Sequence, residues 1–205
     1  MKILGIDPGT AIIGYGMIEC HGNTVTCGHD YAHYGSIHTD KGKRPEERLL
    51  EQYHALTELI RSHKPDLIVT EKLFFARNVS TAIAVGQARG VILLCAEQAG
   101  KPIFEYTPMQ VKQQITGYGK AEKKQIIEMV KRILELDQMR TKLDDAWDGL
   151  AIALTHCYLS GMSTRPEFVT AEAALDDAKR KSASKIAADE KKLAKKALDL
   201  AAKLA

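Results

Sequence analysis

Short apolar runs separated by polar turns fill the first part of the chain and predict three consecutive strands. Residues 1–7 have the pattern of a buried strand, and residues 11–19 and 24–37 have the patterns of two more. The triplet His21-Gly22-Asn23 between the last two is typical of a hairpin turn. We therefore expect the fold to begin with three strands, the second and third joined by a hairpin.

From Pro45 onward the apolar spacing changes to the helical period. Proline suits the first turn of a helix, and apolar residues then recur at three- and four-residue intervals to about residue 62. Strand patterns return at 67–71 and 102–106, and further helices are predicted at 80–98, 108–115, 123–136 and 144–159. This order predicts an α/β fold with a mixed five-stranded sheet flanked by helices.

The composition changes after Arg165-Pro166, where alanine, lysine and aspartate become dominant. Such a segment has high helix propensity but little apolar surface to bury. We expect one domain over residues 1–165 and an Ala/Lys-rich C-terminal tail over 166–205, helical or disordered.

The formal net charge of +3 comes entirely from the end of the chain. Residues 171–205 contain nine Lys/Arg and six Asp/Glu, whereas the 170 residues before them contain 20 of each sign. Overall charge therefore does not establish nucleic-acid binding, which would require a clustered basic surface.

The four cysteines, Cys20, Cys27, Cys95 and Cys157, lack CxxC or zinc-site spacing. We expect buried thiols in a reducing compartment rather than disulfides. No run reaches the roughly 18 apolar residues of a membrane span, and the N-terminus lacks a signal-peptide pattern. These features predict a cytoplasmic protein without membrane partners.

Four carboxylates lie at the ends of apolar segments. Asp7 and Glu71 each end a predicted strand, while Asp145 and Asp148 stand three apart at the start of the last helix, where they share a face. Neighbouring strands lie about 4.8 Å apart, so Asp7 and Glu71 would meet if their strands pair. Clustered oxygen ligands favour Mg²⁺ or Mn²⁺, and two such ions suit phosphodiester hydrolysis.

Each acid also has a purely structural interpretation. An aspartate after a strand commonly forms a turn, and acids in a first helical turn favour the helix dipole. Glu71 beside Lys72 would serve equally well in a surface ion pair. Spacing alone leaves the metal site and these alternatives open.

Five ordered motifs in residues 1 to about 160 resemble RuvC-type Holliday junction resolvases. They are Gly5-Ile6-Asp7-Pro8-Gly9-Thr10, Glu71-Lys72-Leu73-Phe74-Phe75-Ala76-Arg77-Asn78, Gly86-Gln87-Ala88-Arg89-Gly90, Gln110-Val111-Lys112-Gln113 and Asp145-Ala146-Trp147-Asp148-Gly149-Leu150-Ala151-Ile152-Ala153. The resemblance implies an RNase H-like fold and a homodimer that nicks four-way DNA junctions symmetrically. It also implies RuvAB-type branch-migration partners.

Carried over by motif, the resemblance makes Asp7, Glu71, Asp145 and Asp148 the catalytic acids. These four would bind Mg²⁺, with two ions per subunit and Mn²⁺ as a substitute. Phe74 would contact bases near the crossover, and Lys112 and Lys123 would contact the cleaved strand. Trp147 is larger than the residue expected between the last two acids.

The residues themselves add weaker support for DNA contacts and dimerisation. An exposed aromatic beside such a site, here Phe74, can stack on an unpaired base, and Arg77 would extend the basic surface. Helix 80–98 is apolar around much of its circumference, which suggests a second partner surface. His156, on the apolar helix, is expected to be a core residue.

Three other functions fit parts of the pattern. An RNase H-like enzyme acting on RNA would use the same acids. Asp7-Pro8-Gly9-Thr10 also resembles the first phosphate loop of actin-like ATPases, but no second DxGT follows in residues 72–205. A binding module without activity would have no reason to keep four acids that repel one another.

Overall fold

The computed structural model describes residues 1–22, 24–27, 33–72, 79–136, 144–166 and 169. Within them lie six strands and five helices. The elements are β1 (Lys2–Asp7), β2 (Ile12–His21), β3 (Thr24–Thr26), β4 (Tyr34–His38), α1 (Pro45–His63), β5 (Leu67–Glu71), α2 (Val79–Gln98), β6 (Ile103–Tyr106), α3 (Pro108–Thr116), α4 (Lys123–Ile133) and α5 (Asp144–Leu159).

The strands form one mixed sheet in the order β3-β2-β1-β5-β6, with β4 also paired to β2. Strands β1 and β2 form an antiparallel hairpin, the first hairpin of the chain, whereas β1, β5 and β6 run parallel to one another. The predicted mixed sheet is confirmed, but the count of five strands is wrong. The segment predicted as one strand over 24–37 contains two strands, because the ten-residue β2 pairs with β4 along its first half and with β3 at its end.

Helices cover both faces of the sheet. One core joins β1, β2 and β5 to α1 and α2, through residues such as Leu4, Leu56 and Ile92. The other joins the opposite face to α3, α4 and α5. Helix α5 is buried along most of its length, because its turns contact both the sheet and the two neighbouring helices.

Glycines bring α5 unusually close to the first hairpin. A Cβ atom added to Gly5 would lie 2.0 Å from the Gly149 oxygen, and one added to Gly14 would lie 2.0 Å from the Asp145 oxygen. Backbone therefore packs against backbone, at a separation that any side chain would prevent. This contact fixes the start of α5 beside the end of β1.

The expectation of four thiols is wrong for one pair of cysteines. Cys20 on β2 and Cys157 on α5 form a disulfide, whereas Cys27 and Cys95 are free and buried. The two bonded residues are 137 positions apart. Their spacing could not predict the pairing, which depends on α5 packing over β2.

No helix among the described residues is both long and apolar enough to cross a membrane. Val169, past the predicted boundary at residue 165, is fully buried in the core around α5. Residues 170–205 of the predicted tail lie outside the described residues.

Candidate active site

Asp7 and Glu71 end neighbouring parallel strands at the same edge of the sheet. The register of β1 and β5 pairs Ile6 with Thr70, so the next residue on each strand is an acid. Their carboxyl groups share a hydrogen bond and both are half-buried. The expected meeting of these two acids is confirmed.

Asp145 and Asp148 occupy the first turns of α5, which begins at Asp144. The Asp145 carbonyl lies against Gly14, and Gly14 is the β2 partner of Asp7. This contact brings the helix start to the end of β1. The two aspartates are half-buried, with 37% and 25% of their side chains exposed.

A lysine from α4 lies among the acids of α5. The Lys123 Nζ atom is 2.8 Å from Asp148 Oδ2 and 3.8 Å from Asp145 Oδ1. Lys123 is the first residue of α4, and its ammonium group reaches the acids of α5, which covers the same face of the sheet. The sequence predicted this lysine as a DNA contact and did not indicate its pairing with the acids.

Burial and mutual repulsion raise the pKa values of Asp7, Glu71 and Asp148. Burial, followed by the charges of Asp148 and Glu71, raises the pKa of Asp7 from 3.8 to about 8. Burial and the charge of Asp148 also raise the pKa of Glu71, although Asp7 and Lys112 act in the opposite direction. The pKa of Asp148 is raised by burial against the effect of Lys123. Burial and repulsion therefore favour the protonated forms of these acids when no cation is bound.

Burial lowers the pKa of Lys123, but the hydrogen bond and charge of Asp148 outweigh it and leave that pKa raised. The lysine is thus held as an ammonium by the acids that it contacts. It compensates part of their charge, mainly at the α5 side of the group.

The donor chemistry of this group fits a hard divalent cation. Carboxylate oxygens are the preferred ligands of Mg²⁺ and Mn²⁺, and uncompensated negative charge favours their binding. As the side chains stand, however, no three His, Cys, Asp or Glu in the described ranges are arranged to ligate one metal ion. Asp148 and Asp145 face Lys123 instead.

A small cavity of about 90 Å³ connects two of the acids with a second lysine. Glu71, Asp148 and Lys112 line it, above an apolar floor formed by residues of α3, α4 and α5. Lys112 thus lines the same cavity as Glu71, and its contact with a cleaved strand stays a prediction. The other two predicted DNA contacts, Phe74 and Arg77, lie outside the described residues.

Two other residues of α5 belong to the core: Trp147, between the two acids, and His156, two turns after them. Trp147 is 1% exposed and stacks on Tyr34 at a centroid distance of 5.8 Å, so its bulk is directed away from the acids. His156 is buried and bonded to the Tyr106 hydroxyl at 2.9 Å, which confirms its expected place in the core.

Two residues of α1 that contact the loop following Asp7 were not among the predicted site residues. Gln52 and Arg48 donate hydrogen bonds to backbone carbonyls of residues 9 and 10. A signal was available for Gln52, because this polar residue shares the helical stripe of Leu49, Leu56 and Leu59. Its 1% exposure shows that it faces the interior with them.

Comparison with known proteins gives a consistent result. Residues 3–156 match the profile of a family described as "Crossover junction endodeoxyribonuclease RuvC". A relative of that name from Brevibacillus brevis is 52% identical over 156 residues, which cover 76% of this chain and 91% of the relative. Another, from Desulfitobacterium hafniense, is 49% identical over 165 residues, covering 80% and 97%.

Solved structures agree with the sequence relatives. A Thermus thermophilus RuvC structure superposes with a TM-score of 0.70 at 33% identity, covering 79% of this chain and 96% of that one. A second, of T. thermophilus RuvC in complex with a Holliday junction substrate, gives a TM-score of 0.69 at 31% identity. It covers 80% of this chain and 98% of that one.

Proposed function

Because the chain belongs to the RuvC family of crossover junction endodeoxyribonucleases, we propose that it resolves four-way DNA junctions by hydrolysing phosphodiester bonds. The observation that carries the proposal is the meeting of acids from β1, β5 and α5 at one sheet edge. The solved structure of T. thermophilus RuvC in complex with a Holliday junction substrate supports the choice of substrate. The products would carry 5′-phosphate and 3′-hydroxyl ends.

Asp7, Glu71, Asp145 and Asp148 are the proposed metal ligands. Enzymes of this family depend on a metal, and we propose two Mg²⁺ ions per subunit, with Mn²⁺ as a substitute. When bound, such ions polarise the phosphate and favour formation of the attacking hydroxide. The protein's own part is to bring the four carboxylates together at the edge of the sheet, where a bound cation would favour the ionised form of Asp7.

Lys123 and Lys112 are the proposed contacts of the cleaved strand. The Lys123 ammonium contacts Asp148, and Lys112 lines one cavity with Glu71, whose pKa its charge lowers. Lysine binds phosphate through charge without reading the bases, which suits recognition of junction shape. Phe74 and Arg77 are proposed to extend this surface towards the crossover.

The test of the function is cleavage of matched substrates with added Mg²⁺. A four-way DNA junction should be cut in paired, symmetric positions, while a linear duplex and an RNA–DNA hybrid should remain largely intact. Asp7→Asn should bind the junction and fail to cut it. Cleavage of the hybrid alone would favour an RNA-directed enzyme of the same fold, and binding without cleavage by the unaltered protein would favour a silent binding module.

We also propose a homodimer formed through α2. Ile83 and Leu94 are 60% and 50% exposed, and they lie on one stripe of the helix with Gly90 between them. A Cβ atom added to Gly90 would meet nothing within 4 Å, so a second helix can approach closely. A two-fold axis at this face would pair two active sites for symmetric cuts.

Light scattering of Leu94→Lys tests the dimer. The substitution places a charge in the proposed interface, so the protein should become monomeric and cut junctions less efficiently. Leu50→Lys is the matched control, since Leu50 is a similarly exposed leucine, at 56%, on another helix, α1. A dimer that survives Leu94→Lys unchanged would exclude this interface.

Three further proposals rest on the family or the sequence. RuvAB-type branch-migration proteins are the proposed partners, which co-purification on a junction would test. Residues 1–165 are the proposed nuclease unit and 166–205 an accessory tail, so truncation after Val169 should preserve cleavage. The cytoplasmic location expected from the sequence stays a prediction that cell fractionation would test.

A further inference from the structure

The loop after Asp7 is held by side chains of α1. Residues 8–11 connect β1 to β2, and the Asp7–Gly14 pair is the last that joins the two strands. Gln52 Nε2 donates to the carbonyls of Gly9 and Thr10, each at 3.1 Å. Side chains of α1 therefore hold the loop, in addition to the pairing of β1 with β2.

A second donor strengthens the same contact. Arg48, one helical turn before Gln52, donates from Nη2 to the Thr10 carbonyl. Its Nε atom donates to Thr39 Oγ1 at 3.1 Å, and that hydroxyl lies 3.3 Å from the same Thr10 carbonyl. One carbonyl three residues after a catalytic acid thus receives several donors.

We propose that Arg48 and Gln52 are positioning residues that set the direction of the Asp7 carboxylate through the 8–11 loop. The inference rests on the proposed function, since it assigns these residues a role in that reaction. Neither side chain touches the acids themselves. Their effect passes through Pro8, whose ring restricts the backbone of the residue before it, so that the loop and Asp7 move together.

Burial explains why the contact transmits position. Gln52 is 1% exposed, and an interior amide that loses its partners is costly, so its bonds to the loop are held tightly. The loop also turns sharply, since a Cβ atom on Gly9 would lie 1.9 Å from the Ile12 oxygen. A small displacement of residues 9 and 10 is therefore passed on to Asp7, because the tightly turned loop cannot absorb it.

The test compares Gln52→Leu and Arg48→Met with Tyr53→Phe in the full chain. Leucine keeps the buried volume of Gln52 and removes its donor, which preserves the fold. Tyr53 is the matched control on α1, because its hydroxyl donates to Gln98 on α2 at 2.9 Å and not to the loop. Arg48→Lys retains a positively charged donor group and should recover part of the Arg48→Met loss.

Three readouts separate positioning from plain stability. In Gln52→Leu we expect single-turnover junction cleavage to fall about tenfold or more, as misplaced groups commonly cost. Mn²⁺ binding, measured by electron paramagnetic resonance, should weaken, and amide exchange of residues 9–12 should accelerate. Junction affinity in Ca²⁺ and all properties of Tyr53→Phe should stay near those of the unaltered protein.

The outcomes are distinguishable from those that test the function itself. If the unaltered protein does not cut junctions, the proposed function fails, while Mn²⁺ binding and amide exchange still decide the inference. If Gln52→Leu and Arg48→Met both match Tyr53→Phe in Mn²⁺ binding and cleavage, the positioning role is overturned. Equal losses in all three variants would show that these residues only stabilise α1, and would also overturn the positioning role.

Discussion

Replacing Asp7 by asparagine should stabilise the metal-free protein. The folded protein holds this carboxyl with a pKa of about 8, against 3.8 for an ordinary aspartate. In the unfolded chain the proton leaves near pH 4, whereas the folded chain retains it until about pH 8. Stability contributed by this group therefore falls as pH rises between these two values, and an uncharged asparagine avoids the loss.

The size of the effect follows from the same two pKa values. One pKa unit corresponds to about 1.36 kcal/mol, so at pH 7 the aspartate costs on the order of 4 kcal/mol. Asparagine also retains an amide that can donate to Glu71, the present hydrogen-bond partner of Asp7. The stability gap between Asp7→Asn and the unaltered protein should widen by roughly 1.4 kcal/mol per pH unit through this range.

Urea denaturation in EDTA from about pH 5.5 to 8.5 measures the gap. Glu128→Gln provides the control, because it removes a carboxylate that is exposed to solvent on α4. Added Mg²⁺ should then reverse the order, since only the unaltered site gains from the ion. A gap that stays constant with pH, or an asparagine variant less stable than the parent in EDTA, would refute the electrostatic argument.

Three other substitutions test separate features of the site. Lys123→Gln should tighten Mn²⁺ binding about tenfold, or about 1.4 kcal/mol, because it removes a cation that competes for Asp148. Weaker Mn²⁺ binding in a paramagnetic-resonance titration would contradict this. Gly14→Ala should cost about 1–3 kcal/mol in denaturation and reduce cleavage, because its Cβ meets backbone, whereas Gly42→Ala should do neither. Phe74→Ala should slow junction cleavage by the equivalent of about 1–3 kcal/mol of lost stacking, with Mn²⁺ binding unchanged.

Much of the fold follows from local patterns. Helix α5 begins at Asp144 and ends at Leu159 as the periodicity predicted, and β5 has its predicted bounds. The division of 24–37 into two strands was not predictable, because it depends on which part of β2 each partner meets. Strand pairing is a tertiary property that a single run of residues does not carry.

The site shows the same contrast between local and distant information. Asp7 and Glu71 were predicted to meet because parallel strands bring equivalent ends together. Lys123 was assigned to DNA alone, since its contact with Asp148 crosses 25 positions and two helices. The disulfide between Cys20 and Cys157 depends likewise on packing between distant segments.

The close contact of α5 with the first hairpin has a consequence for how the protein tolerates change. Gly14 and Gly149 let main-chain atoms of β2 and α5 pack directly against each other, so these two glycines limit how far α5 lies from the β1–β2 hairpin. We expect substitutions among the leucines and isoleucines of the two cores to change stability more than they shift the proposed acids Asp145 and Asp148 relative to Asp7. Core redesign is then a route to a more heat-resistant protein that retains its activity.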